Sequence, residues 1–260
     1  MSRSSKIIRI TSEDQDTSQS ESNGEFTCVL KDTTLTQRVK GYTVQQVWAD
    51  NVYYNISAGT AGQMAQNNTI NITETTGYDG DVSIAEGQYS VTQFMAAWIT
   101  ALDAKLTGTT TAIVQDPVTN KVTLTFTGNT VALNTDYPAG NLTFGFNAAV
   151  AAAASWTAPY LPKLGGLKEL YVHSKTVSNG NLIDADFGSI STLACVSFHD
   201  VPYGSTGYLQ TSDTDLYSVT YPSPRNLSTI KIQLRDSNGR KLDPGASSSV
   251  TIMIKCYFAN

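Results

Sequence analysis

"LSTIKIQLRDSNGRKLDP", residues 227–244, sets how the rest of the chain is read. Ile230, Ile232 and Leu234 fall on one side of an extended strand and Lys231, Gln233 and Arg235 on the other, because successive strand side chains point to opposite faces. This is the pattern of a half-buried strand. Asp236, Ser237, Asn238 and Gly239 follow, residues that bond their own backbone or tolerate a positive φ, as a tight reversal requires. Val250, Ile252, Ile254, Cys256 and Phe258 then repeat the alternation almost to the last residue. The two runs read as a closing hairpin, with the C-terminus as a core strand.

Upstream, the same strand-turn-strand pattern extends back to Glu25. "EFTCVLK", "YTVQQVW", "NVYYNIS" and "NNTINIT" are short runs rich in β-branched and aromatic residues, bounded by Gly, Asn and Asp. "AIVQDPVTNKVTLTF" predicts a hairpin turning between Asp116 and Lys121. One helix is expected near residues 91–106. Ser90 and Gln93 have the spacing of a capping box, and Val91, Phe94, Trp98, Leu102 and Leu106 recur on one face. "NAAVAAAASW" has high helix propensity without amphipathic pattern, so it reads equally as a short helix or a loop insertion. Eight to ten strands with a single helix describe an all-β, jelly-roll β-sandwich. The expected organisation is a flexible N-terminal arm over residues 1–24 and one domain over 25–260, with loop insertions near 58–82 and 128–160.

The chain has 260 residues and a net charge of -5, ample length for a core without staples. Cys28, Cys195 and Cys256 are odd in number and widely spaced, and read as small buried hydrophobes. No signal-peptide h-region opens the sequence and no apolar run reaches the roughly 18 residues of a membrane span, so a chain made in the cytoplasm is expected. Its five Asn-X-Ser/Thr sequons read as chance in an Asn- and Thr-rich chain. No basic run tracks an aromatic strand, which argues against a sequence-specific nucleic-acid partner. The exception is the arm: Arg3, Lys6 and Arg9 come without an acid, then Glu13, Asp14, Asp16 and Glu21 follow among Ser and Gln. These cations are the candidate contacts to a partner.

Catalysis finds few footholds. The two histidines are His173 and His199, and Ser197, His199 and Asp200 sit too close along one strand to form a relay. No zinc-ligand spacing occurs. Asp79 with Asp81, and Asp213 with Asp215, lack the further ligands of a calcium loop. No cofactor, metal or catalytic residue is expected, and the chain is read as no enzyme.

Several segments together resemble the single jelly-roll vertex (penton) and minor capsid proteins of icosahedral double-stranded DNA viruses, the lineage of virophages, polinton-like elements and nucleocytoplasmic large DNA viruses. They are "VSIAEGQYSVTQFMAAWITALDAKL", "VQDPVTNKVTLTF", "LGGLKELYVHSKTVSNGNLID", "CVSFHDVPYGSTGYLQ" and the terminal "LSTIKIQLRDSNGRKLDP…SVTIMIKCYF", in this order. The resemblance implies a structural protein of the virion: a homopentamer closing a capsid vertex and touching major capsid protein neighbours. A non-vertex minor capsid protein is a second version of that reading. The rival class is a jelly-roll attachment module whose partner is a host receptor or glycan, gripped by Trp48, Trp156 and loop Asp and Asn residues.

Overall fold

The computed structural model describes residues 5–18, 20, 22, 24–30, 38–60, 62–174, 176–177, 191–211, 218–245 and 248–259. In chain order its strands are β1 (Ser5–Thr11), β2 (Glu25–Val29), β3 (Val39–Asp50), β4 (Thr69–Glu74), β5 (Asp79–Ser83), β6 (Thr110–Gln115), β7 (Val122–Thr127) and β8 (Val131–Leu133), followed by β9 (Val150–Ala153), β10 (Ser155–Thr157), β11 (Glu169–Ser174), β12 (Ser191–Ser197), β13 (Thr206–Gln210), β14 (Ser218–Arg225), β15 (Thr229–Arg235) and β16 (Val250–Phe258). Helix α1 spans Val91–Asp103 and α2 spans Pro138–Phe144. The fold is an all-β jelly-roll sandwich, and the chain divides into two compact units.

The first unit takes residues 1–53, 61–63 and 167–260. One of its sheets runs β1-β16-β3-β13, with β14 also on β3, and the other runs β12-β11-β15-β2. The alternation read from sequence holds: Ile230, Ile232 and Leu234 on β15 and Val250, Ile252, Ile254 and Cys256 on β16 are all buried. The hairpin does not. The chain does reverse at Asp236, whose carboxylate accepts from the backbone N–H groups of Asn238 (2.9 Å) and Arg240 (2.8 Å). The returning leg bonds only briefly, Leu242 N–H to Leu234 C=O, and the chain then passes to the other sheet. β15 pairs with β11 and β2, whereas β16 pairs with β1 and β3. Alternation fixes which face a strand buries, but two facing sheets share one core and either would satisfy it.

β15 departs from expectation on its other face as well. Gln233 is buried and donates to Glu25 at 2.8 Å, and Lys231 and Lys241 ion-pair with the same carboxylate at 2.9 and 2.5 Å. Burial works against ionising Glu25, but the two lysines and Gln233 outweigh it and hold its pKa at about 2.

The N-terminal segment needs a second correction. Residues 5–11, expected within a flexible arm, form β1 and pair with β16 in unbroken antiparallel register, Ile8 against Ile254 and Ile10 against Ile252. Ile10 is buried. Burying one such side chain contributes about 1.5–3 kcal/mol and the ladder adds to it. Deleting residues 1–11 is therefore expected to lower the thermal midpoint by about 10 °C, at roughly 2–4 °C per kcal/mol for a chain of this size. An unchanged melt would restore the reading of a loose arm.

The second unit, residues 54–60 and 64–166, takes up the stretch 128–160 expected as a loop insertion and all of 58–82 except residues 61–63. Its sheets run β5-β4-β8-β9 and β10-β7-β6. Helix α1 begins with the capping box read from sequence, Ser90 accepting from Gln93 N–H and Gln93 from Ser90 N–H. Phe94, Trp98 and Leu102 line its buried face and meet Phe144 of α2, whose ring lies 5.1 Å from each of the two aromatic rings. The hairpin of β6 and β7 also forms, its turn held by Asp116 accepting from Val118 and Thr119 N–H at 2.9 and 2.6 Å. The alanine-rich run is neither helix nor loop: it forms β9 on β8 and β10 on β7. Among the described residues no helix is long and apolar enough to cross a membrane.

One buried carboxylate ties the second unit together. Glu74, 3% exposed at the end of β4, accepts from Tyr78 and Thr107 N–H (3.0 and 2.9 Å), from the Thr109 hydroxyl (2.5 Å) and from the Asn129 amide (3.1 Å). It thereby joins the turn into β5, the chain after α1 and the turn after β7. A Cβ at position 77 would stand 2.1 Å from a Glu74 oxygen, so a side chain there would push the carboxylate away from its donors.

Candidate interaction surfaces

The outward face of the β1-β16-β3-β13 sheet is set by the same alternation that buries Ile252 and Ile254. One cross-strand row runs Tyr208, Trp48, Thr251; the next runs Gln210, Gln46, Met253, Arg9. Tyr208 is 46% exposed and its ring lies 5.4 Å from that of Trp48, while its hydroxyl donates to Gln210 at 3.0 Å. Beyond them, Lys255 stands 5.8 Å from the ring of Tyr257 and pairs in register with Ile7, which is 49% exposed. Tyr, Trp, Met and Arg are the residue types enriched where proteins meet. Sequence reading found Trp48 but missed Tyr208, Met253 and Lys255, because nothing local says which strands lie side by side.

The edges of the two sheets of this unit bound a cleft of about 590 Å³, lined by Lys6, Ile8 and Arg9 of β1 and by Cys28, Val29 and Leu30 at β2. Of the three arm cations, Lys6 and Arg9 stand on β1 and Arg3 lies outside the described residues. Cys28 donates its thiol to Thr11 C=O at 3.3 Å, and burial pushes its pKa up to about 11. Cys256 is buried as expected, whereas Cys195 is half-exposed.

Of the two tryptophans assigned to a glycan platform, one is buried. Trp156 lies in the core of the second unit, 4.6 Å from the ring of Phe126, and its indole N–H donates to Val131 C=O at 3.0 Å. Trp48 alone of the pair reaches a surface.

The titratable clusters resolve into local structure. Ser197 accepts from the backbone N–H of His199, a turn contact in which the imidazole takes no part. His173 stacks on Tyr171 with ring centroids 6.3 Å apart, and the Tyr171 hydroxyl donates to Glu169 at 2.7 Å. Asp79 and Asp81 both project outward from β5. Asp79 accepts from the Thr73 hydroxyl at 2.8 Å; Asp81 accepts from the Tyr137 hydroxyl at 2.7 Å and the Asn71 amide at 2.6 Å. Those two donors hold the Asp81 carboxyl below the usual carboxylate range. Asp213 and Asp215 lie outside the described residues. Among the described residues no three His, Cys, Asp or Glu side chains converge on a metal site.

No protein-family model and no curated protein sequence matches the chain. Among solved structures, the chain is similar to the selenomethionine-labelled mavirus penton protein, with a TM-score of 0.51 and 10% sequence identity. The likeness covers 99% of this chain and 100% of that one. At that identity the two share a fold.

Proposed function

We propose that this chain is a structural subunit of an icosahedral capsid and that five copies close round its vertex. The observation that carries the reading is a fold shared with a penton protein over essentially the whole length of both chains. A likeness confined to one sandwich would point to any jelly roll; this one takes in both compact units. The surfaces agree with such a role. An outward sheet face bearing Trp48, Tyr208, Met253 and Arg9 has the composition of a contact between proteins. In this reading the protein acts in the virion, needs no cofactor, performs no catalysis and touches major capsid protein neighbours. Arg3, Lys6 and Arg9 are contacts to an adjoining subunit.

Native mass spectrometry and negative-stain imaging across a concentration series test this directly. Five-fold rings are expected, populated more as protein concentration rises because association follows mass action. A stable trimer at every concentration would replace the vertex with a capsomer or fibre.

A further inference from the structure

Among the described residues nine strands have a free edge or end a sheet path: β1 and β13, β12 and β2, β5 and β9, β10 and β6, and β14, which flanks β13 on β3. A free edge is a template for another strand, and folded proteins guard such edges with proline, bulges, short length or charge. β14 carries Pro222 and Pro224, and its Arg225 lies 4.8 Å from the Tyr221 ring. β1 is seven residues long and free of proline and bulges, so charge, in Lys6 and Arg9, is its one guard, and it exposes Ile7 and Arg9 on its outward face.

Charge separates the remaining edges. Strands β6, β9, β10, β12 and β13 carry none, and the single acid of β2, Glu25, is neutralised by Lys231 and Lys241. The basic edge is thus β1, with Lys6 and Arg9, and the acidic edge is β5, with Asp79 and Asp81. Among the described residues the partners of both carboxylates are hydroxyl and amide groups, not cations, so the pair is held in place with its charge uncompensated.

We propose that the β1 edge of one copy docks on the β5 edge of the next, with Arg9 pairing with Asp79 and Asp81. The two edges belong to different units, so the contact is heterologous: each copy offers one edge and receives the other, and successive contacts close a ring or run on as a filament. The inference rests on the capsid-subunit reading and names the surface that would join its copies. Their side-chain periods agree, because Ile7 and Arg9 project outward at a spacing of two, as do Asp79 and Asp81. With Arg9 opposite Asp81 in antiparallel sense, Ile7 meets Ser83 and Ile8 meets Val82, while Ile10 meets Gly80, which has no side chain to clash. The Tyr78 hydroxyl already donates to the Asp81 carbonyl at 2.6 Å, so the ion pairs rather than a full ladder set this register. Opposite potentials across an interface select the partner, and like charges brought together there are strongly disfavoured.

Charge reversal tests the pairing in the full-length chain. Arg9→Asp and Asp79→Arg, made singly, are each expected to raise the concentration at which rings form at least tenfold, and each should melt like the parent because both side chains are exposed. The double variant Arg9→Asp with Asp79→Arg should return ring formation to within about threefold of the parent. Asp81→Arg combined with Arg9→Asp repeats the test at the second carboxylate. Rings that form equally well in both single variants would overturn the inference while leaving the vertex reading intact. Loss without restoration in either double variant would overturn it too, since each side would then matter for some reason other than the pairing. A parent chain that forms no ring at any concentration would instead remove the reading on which the inference rests.

Discussion

Ile254→Asp is expected to yield a chain that does not fold. Ile254 is fully buried on β16, between β1 and β3, with Ile8 and Val44 as its cross-strand neighbours. An aspartate there would place a carboxylate between the apolar side chains of Ile8 and Val44. Burying an unpaired polar group costs several kcal/mol, and an ionised one more. That approaches the 5–15 kcal/mol by which domains are stable at all. One residue away, Met253 faces outward and is half-buried. Met253→Gln should cost about 1 kcal/mol or less, as surface exchanges do. Soluble yield and thermal melts of the two variants check the contrast. A normally folded Ile254→Asp beside a collapsed Met253→Gln would mean that the face assignment of β16 is inverted.

The second large effect is expected at Glu74. Removing its carboxylate with Glu74→Ala leaves four donors, from Tyr78, Thr107, Thr109 and Asn129, without their acceptor. A stranded buried donor such as the Thr109 hydroxyl costs about 1–3 kcal/mol, and the three part-buried donors less, because water enters the gap. A net loss of about 3 kcal/mol or more follows, which lowers the thermal midpoint by about 10 °C. Glu74→Gln should fall between the two, because its amide NH₂ turns one accepting end into a donor facing donors. A Glu74→Ala melt within a degree or two of the parent would show that the carboxylate holds nothing together.

Acid should act through the same group. Burial disfavours the charged form of Glu74, but the hydrogen bonds from Thr109, Thr107, Tyr78 and Asn129 prevail and hold its pKa at about 2 against an ordinary 4.5. A depressed folded-state pKa contributes stability that is complete above about pH 4.5 and fades as pH falls through about 2. Melting temperature should therefore decline across that window in the parent and less steeply in Glu74→Gln. A residual slope remains from Glu25, which titrates over the same range.

Some of this architecture is written locally. The buried faces of β15 and β16, the hairpin of β6 and β7, and the capping box with the Phe94, Trp98 and Leu102 stripe of α1 were all legible. Each depends on spacing within a few residues, through the strand period of two, the helical period near 3.6 or the bonding of a turn residue to its own backbone. The pairing of Asp79 with Asp81 and the cationic run through Lys6 and Arg9 were legible in the same way.

Partnership was not. Ile8 meets Ile254 across almost the whole length of the chain, so no local signal marks residues 5–11 as a strand, and their charges made them read as an arm. The alanine run forms strands because β8 and β7 offer it an edge, a tertiary gain that outweighs a weak helix preference. Likewise, Trp156 goes inside while Trp48 stays at a surface, though both are large aromatics within strands. Faces, turns and caps follow from the order of residues alone, since short-range geometry governs them. Which strands share a sheet, which edges stay open and which charges are left facing outward was decided by the tertiary structure, because these depend on contacts between residues far apart in the chain.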